Sequence, residues 1–420
     1  SQAALDKILD QYAQRTKQMG YRLVDLDANP ATAKKYDVNA YGTFVVVHHL
    51  KKGGEIVEKG KSATAQYAAK DGKEKKNFRS EKIYDLSENA IANAILKTTQ
   101  TEQKKIYFLT GHGERQYVGQ SRRSLQGLSG GLRDENYAVE ELLLLREKGV
   151  PSDSNLIIIA APKNDLDEKE SKVIEEYLSK GGKLLVLVEP DTSAKRLFDL
   201  LAKYGFEVPE SIVVDPSSVR FALVGGNEVT PFVVDYGVHK ITEKLKGLAT
   251  VFPTVRKVSA KNDPDRGLSA ETIGRTGKGS FSVKPLIKNN KLTIDTDSKK
   301  DGPVPIAAAV RVKLETFTGK AVKKNGNSAP EARIVVFGDP DFASDAYIGA
   351  QGNASLLFNA INWLSGEEDL IAIRPKARVA TPMLIETGEG TFVQLFALVL
   401  MPLLIVLSGV AVYIRRRKLR

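Results

Sequence analysis

The chain has 420 residues, a formal net charge of +11 and no cysteine. Without thiols it has no disulfides, thiolate nucleophiles, zinc-thiolate sites or thioredoxin-type redox chemistry. Setting aside the five cations of the RRRKLR tail leaves about +6, an ordinary basic surface, and no run interleaves cations with aromatics as a nucleic-acid groove does, so no nucleic-acid partner is expected.

In chain order, Leu5, Ile8, Leu9 and Tyr12 recur at helical spacing. YRLVDLD then alternates as a strand, and Pro30 opens a short helix through Tyr36. TFVVVHH reads as a buried strand, EIVEKG as its hairpin partner across Gly53 and Gly54, and Leu86 to Thr99 as a helix with Ile91, Ile95 and Leu96 on one face. NPATAKKYDVNAYGTFVVV resembles the thioredoxin superfamily, and residues 1–100 are expected to form a thioredoxin-like domain. It lacks CxxC, and Tyr41-Gly42-Thr43 stands where a cis-proline turn belongs, which leaves a binding or structural role.

From residue 104 to about 372, strands are expected at Ile106 to Leu109, YAVEELLLL, NLIIIAAP, KLLVLVEP, SIVVD, PIAAAVRV and ARIVVFGDP. Helices are expected over Asp167 to Lys180, Ser193 to Tyr204 and Asn353 to Leu364. Continuous apolar strands alternating with amphipathic helices predict an α/β fold with a parallel sheet covered on both faces. A polar, glycine-rich stretch at about 260–305 reads as an insertion, either a small β extension or a partner contact, and TGKAVKKNGNSAPE as a second exposed tip.

Residues 373–390 read as a linker. Behind it, twenty-three uncharged residues from Phe392 to Ile414 reach roughly 34 Å as a helix, kinked at Pro402, long enough to cross a bilayer. Arg415, Arg416 and Arg417 open the basic tail, which the positive-inside rule puts in the cytoplasm, with residues 1 to 390 outside. That orientation requires an export signal or first membrane helix ahead of Ser1, because no apolar stretch occurs before Val45. Ala397, Ser408, Gly409 and Ala411 are small enough to let another helix approach.

Ligands of open α/β sheets collect at the carboxyl ends of strands. Three predicted strand ends carry polar groups there: Gly111-His112-Gly113-Glu114, Glu189-Pro190-Asp191 and Gly338-Asp339-Pro340-Asp341. His112, Glu114, Glu189, Asp191, Asp339 and Asp341 are therefore the candidate ligand-binding residues. Three readings stay open: the aspartates cap helices while His112 bonds backbone, the cluster holds a small ligand or divalent metal, or it performs acid-base chemistry. No G-x-S-x-G elbow occurs, and GGEIVEKGKS has the wrong glycine spacing for a phosphate loop. His48, His49 and His239 lack ligand spacing and read as exposed strand or loop positions.

FLTGHGERQ, GDPDFASDAYIGAQGNASLLFNAINWLSGEE and the terminal apolar run together resemble the auxiliary, substrate-binding-like component of gliding-motility-associated ABC transporters. The resemblance implies an ABC-2-type permease partner, a separate cytoplasmic ATPase, a place at the bacterial inner membrane with most of the chain in the periplasm, and a periplasmic or envelope partner. It further implies a flavodoxin-like or amidotransferase-like central domain without the amidotransferase cysteine, no cofactor and no catalysis. Two alternatives are a membrane-tethered, metal-dependent envelope hydrolase using His112, Glu114, Asp339 and Asp341, and a purely structural scaffold.

Overall fold

The computed structural model describes residues 24–38, 42–49, 78–83, 91, 94–95, 98–99, 103–147, 149–284, 286–288, 291–293, 301–319, 331–367 and 401–418. The predicted N-terminal helix, EIVEKG, Leu96, the tip at 320–330 and the linker lie outside them.

Among residues 24–99, α1 (Pro30–Tyr36) forms as its proline predicts, with Pro at the first helical position and Asp37 closing it in the left-handed region. The described part of YRLVDLD is a turn rather than a strand, because the Asp25 side chain accepts from the amides of Asp27 and Ala28. Residues 44–48 of β1 (Phe44–His49) are half-buried, not buried, and the strand's described partner is β2 (Phe78–Ile83), antiparallel. Ile91 and Ala94 are buried and helical, as the predicted 86–99 helix requires.

The central sheet is built from β3 (Lys105–Leu109), β4 (Ala138–Leu142), β5 (Ser154–Ala160), β6 (Lys183–Leu187), β8 (Asp235–Tyr236), β9 (Leu268–Arg275), β11 (Pro305–Lys313) and β12 (Glu331–Phe337). Their order is β8-β9-β11-β12-β6-β5-β3-β4. The five from β12 to β4 are parallel, and the other three extend the sheet antiparallel. Two expectations change here. SIVVD becomes β7 (Ile212–Val214), which pairs with β10 (Phe281–Val283) outside the main sheet. The supposed insertion supplies β9, which joins β11 in the sheet.

Side chains alternate across the sheet into two cores. Ile106, Phe108, Ile158, Leu185, Val335 and Phe337 face α2 (Gln126–Asp134) and α5 (Asn353–Ser365). Tyr107, Leu109, Ile157, Val186, Ile334 and Val336 face α3 (Glu168–Ser179) and α4 (Lys195–Lys203). α4 buries Leu197, Leu200 and Leu201 at helical spacing, each contributing about 1.5–3 kcal/mol of transfer free energy. α3 begins at a capping box, Asp167 accepting from the Glu170 amide at 2.7 Å and Glu170 from the Asp167 amide at 2.9 Å.

Among the parallel strands, chain progress runs β3 to β4 in one direction and then β5, β6, β12 in the other. The switch therefore lies between β3 and β5.

Residues 376–420 form a separate unit, in which α6 (Met401–Lys418) is described. Of the predicted crossing helix only Met401–Ile414 falls within it, fourteen uncharged residues spanning about 21 Å. Residues 391–400, with Phe392, lie outside the described residues, and no described helix is long and apolar enough to cross a membrane. The expected span is thus not met by the described residues, which fall short of a hydrocarbon core of about 30 Å. Pro402 lies in α6, and Arg415, Arg416 and Arg417 continue the helix. Leu403, Val406, Leu407 and Val410 are exposed.

Candidate functional site

The switch point is where a doubly wound sheet ordinarily admits a ligand. Here the GHGE loop after β3 lies across it: the His112 carbonyl accepts from the amides of Lys163 and Asn164, both at 2.9 Å, and the Arg115 amide donates to the Ala160 carbonyl at 2.9 Å. The chain's own backbone thereby joins the carboxyl ends of β3 and β5.

His112 sits inside this closure. Its Nδ1 lies 3.0 Å from Glu114 Oε1 and its Nε2 2.7 Å from Glu170 Oε2, with all three side chains almost wholly buried. Bonding to Glu114, reinforced by Glu170 and only partly offset by burial, raises the imidazole to about 9, so it is a cation at neutral pH. Both ring nitrogens are engaged, and neither has a lone pair to offer a metal. Glu170 was not among the sequence candidates. Its signal was the capping box, three residues after Asp167, which fixes the carboxylate at the α3 N-terminus.

Glu189 and Asp341 belong to a second cluster over the ends of β3, β6 and β12. Arg115 reaches Glu189 Oε1 through Nη2 and Asp341 Oδ1 through Nη1, both at 2.7 Å. Arg123 approaches the same two oxygens at 2.8 and 3.7 Å. Sequence reasoning missed both arginines, although Arg115 directly follows the GHGE loop. Asp191 is exposed and joins neither cluster.

Asp339 lies wholly buried beside this pair. Its Oδ1 accepts from the Asp341 amide at 2.6 Å, while Oδ2 has no hydrogen-bond partner among the described residues. Burial, with the neighbouring Asp341 charge, pushes its carboxyl well above the usual range, so the neutral acid is favoured. A carboxyl whose folded-state affinity for protons is raised contributes stability at low pH and loses it as pH climbs above the ordinary aspartate value. Asp339→Asn keeps the acceptor for Asp341 and removes the ionisation. It is expected to raise stability at pH 7 by about 1–2 kcal/mol, with the gain shrinking below pH 4, as read by thermal unfolding. A variant that melts lower than the parent at pH 7 would rule out this account.

Arg256 braces the same strand ends from below and is 1 % exposed. Its guanidinium donates to the carbonyls of Glu189, Thr192, Val208 and Pro209 at 3.0 to 3.2 Å, and its carbonyl lies so close to Gly338 that a Cβ there would approach to 2.1 Å. Hence glycine precedes Asp339. His239, expected to be exposed, is half-buried: it packs edge-on against Trp363 at 4.8 Å, and burial with Arg311 and Arg333 lowers it to about 4. His48, also expected exposed, is half-buried in β1.

The strand-end residues thus resolve into a buried histidinium with two carboxylates and an arginine-bridged carboxylate pair. Among the described residues no group of three or more His, Asp or Glu side chains is placed to hold a metal ion, so the metal-dependent arrangement of His112, Glu114, Asp339 and Asp341 is not formed.

Among solved structures, the mmIFT52 N-terminal domain is 19 % identical, with 62 % of this chain and 97 % of that one covered at a TM-score of 0.43. A ThuA-like protein from Bacteroides uniformis is 15 % identical, covering 62 % and 91 % at 0.33. A cytoplasmic protein from Salmonella typhimurium is 12 % identical, covering 62 % and 98 % at 0.35. At such scores these likenesses say nothing about what the chain binds. No curated protein matches it. The family model described as "ABC-type uncharacterized transport system" matches residues 103–366, which is well over half the length and takes in the whole central sheet and both strand-end clusters. This chain therefore belongs to that family of ABC-type transport auxiliary components.

Proposed function

We propose that the chain is the extracytoplasmic auxiliary subunit of an ABC transporter at the bacterial inner membrane, working with an ABC-2-type permease and a separate cytoplasmic ATPase. It binds a substrate or an envelope partner and catalyses no reaction. The observation that carries this reading is the occupied switch point: His112 is bonded to both Glu114 and Glu170 there, and Arg115 ties Glu189 to Asp341. A catalytic acid or base needs a titrating group within reach of substrate, whereas these groups are committed to each other. Such cross-links instead suit a rigid body that transmits or receives motion.

Residues 1–100 act as a thioredoxin-like binding domain, 104–372 as a flavodoxin-like body and 373–390 as a linker to the membrane. The uncharged run from Phe392 to Ile414, with Arg415 to Arg417 behind it, supports a crossing helix whose tail is cytoplasmic. Affinity purification of the full-length chain from its native membrane in mild detergent tests the reading. A multi-span permease and an ATPase are expected in near-stoichiometric yield, and recovery of the chain alone would overturn it.

A further inference from the structure

The arginine-bridged cluster is unevenly built. Arg115, 7 % exposed, neutralises one of the two carboxylates, Glu189 and Asp341, which are themselves 25 % and 22 % exposed. The second is balanced by Arg123, whose side chain is 64 % exposed and which adds no oxygen that Arg115 does not already hold. An ion pair made by so exposed an arm is weak and exchanges readily with competitors. The carboxylates are otherwise fixed: the Glu189 backbone rests on Arg256, and the Asp341 amide is held by Asp339. Beside them Asp339 Oδ2, fully buried, has no hydrogen-bond partner among the described residues. Buried polar groups are normally satisfied, so this strand end keeps hydrogen-bonding capacity that the described residues leave unfilled.

We propose that Glu189 and Asp341 form a receptor for an arginine guanidinium presented by a partner protein, and that Arg123 is a built-in occupant displaced when that arginine docks. Two carboxylates carried on separate rigid strand ends match a planar fork of N–H donors better than a single ammonium point charge. Exchange of one guanidinium for another leaves the buried charge balance of Arg115, Glu189 and Asp341 unchanged. Docking therefore needs no repacking of the sheet. The site does not depend on the partner being a transporter subunit, so it can fail while the co-purification succeeds, and the reverse.

Calorimetric titration of the full-length chain in detergent with N-acetylarginine amide tests it. The parent binds weakly because its own arm competes, and Arg123→Ala is expected to bind about tenfold more tightly. Adding Glu189→Gln to that variant is expected to return the gain, and N-acetylcitrulline amide, uncharged but isosteric, is expected not to bind. Arg123→Gln keeps the arm's length without its charge and should reproduce the gain. Equal affinity in parent and Arg123→Ala, or equal binding of citrulline, would overturn the site. Free arginine binding more than tenfold tighter than the capped form would also overturn it, since the pocket would then recognise a metabolite. Both single variants are expected to melt within about 2 °C of the parent, and a larger fall would make Arg123 a structural brace instead.

Discussion

Glu170→Ala is expected to cost about 2–4 kcal/mol at pH 7, because it removes one of the two carboxylates that hold a buried imidazolium and the reciprocal half of the α3 capping box in one step. In a domain of this size that lowers the melting temperature by about 6–15 °C, measurable by circular dichroism or calorimetry. Glu170 Oε2 serves both His112 Nε2 at 2.7 Å and the Asp167 amide at 2.9 Å, so no other side chain replaces it. The pH dependence separates these roles. His112 titrates at about 9 in the folded chain and near 6.5 when unfolded, so its stabilisation is complete below 6.5 and is lost as pH rises through 9. In the variant the folded value falls, while Glu114 still holds it above the unfolded one, so the loss between pH 6.5 and 9 becomes shallower. Glu170→Gln keeps much of the cap yet loses the charge, and it should show the same flattening with a smaller drop at pH 6. A Glu170→Ala protein that melts within 2 °C of the parent at pH 7 would mean that Glu114 alone suffices to hold the histidinium.

The parts of this fold legible in the sequence are those where one local signal suffices. α3 was bounded within a residue at each end because Asp167 and Glu170 make a capping box and Ile174 and Leu178 continue its apolar face. β5 and β6 announced themselves as apolar runs because both faces of the parallel sheet are covered. α2 was invisible: QGLSGGLRD holds three glycines, poor helix formers. Its order comes from afar, with Asp345 accepting from the Gly127 amide at 2.6 Å and the Phe358 ring lying where a Cβ on residue 131 would approach to 2.4 Å. β9 was hidden for a related reason. As an outer, half-exposed strand it reads LSAETIGR, with Leu268 and Ile273 buried but no sustained apolar run. At the site, the strand ends could be placed from the apolar runs they terminate, so five of the six candidates do lie in the two clusters. Which charge answers which could not be read. Arg115 and Glu189 are 74 residues apart, and Arg256 is 67 from the Glu189 carbonyl it supports.

Arg256 carries the other large expected effect. A buried guanidinium is costly to desolvate, and burial lowers its proton affinity to about 10, still well charged at neutral pH. The cost is accepted because its donors satisfy four carbonyls that no regular secondary structure serves, and because the cation lies over the Phe198 ring at 4.8 Å. Arg256→Met preserves bulk but takes the guanidinium donor from the Thr192 and Val208 carbonyls, each worth about 1–3 kcal/mol when buried and unpaired, and leaves those of Glu189 and Pro209 with only the Thr192 amide and the Ser211 hydroxyl. After partial hydration of the loosened loop a net loss of about 3–5 kcal/mol is expected. Arg256→Lys retains charge and cannot span all four acceptors, so it should fall between parent and Met, whereas a lysine variant as stable as the parent would show that charge alone matters. The same brace fixes the Glu189 backbone. Hydrogen exchange at residues 189–192 should therefore accelerate in Arg256→Lys at temperatures where the sheet amides of β5 and β6 remain protected, since local opening of the β6 end draws on these bonds and not on the apolar cores.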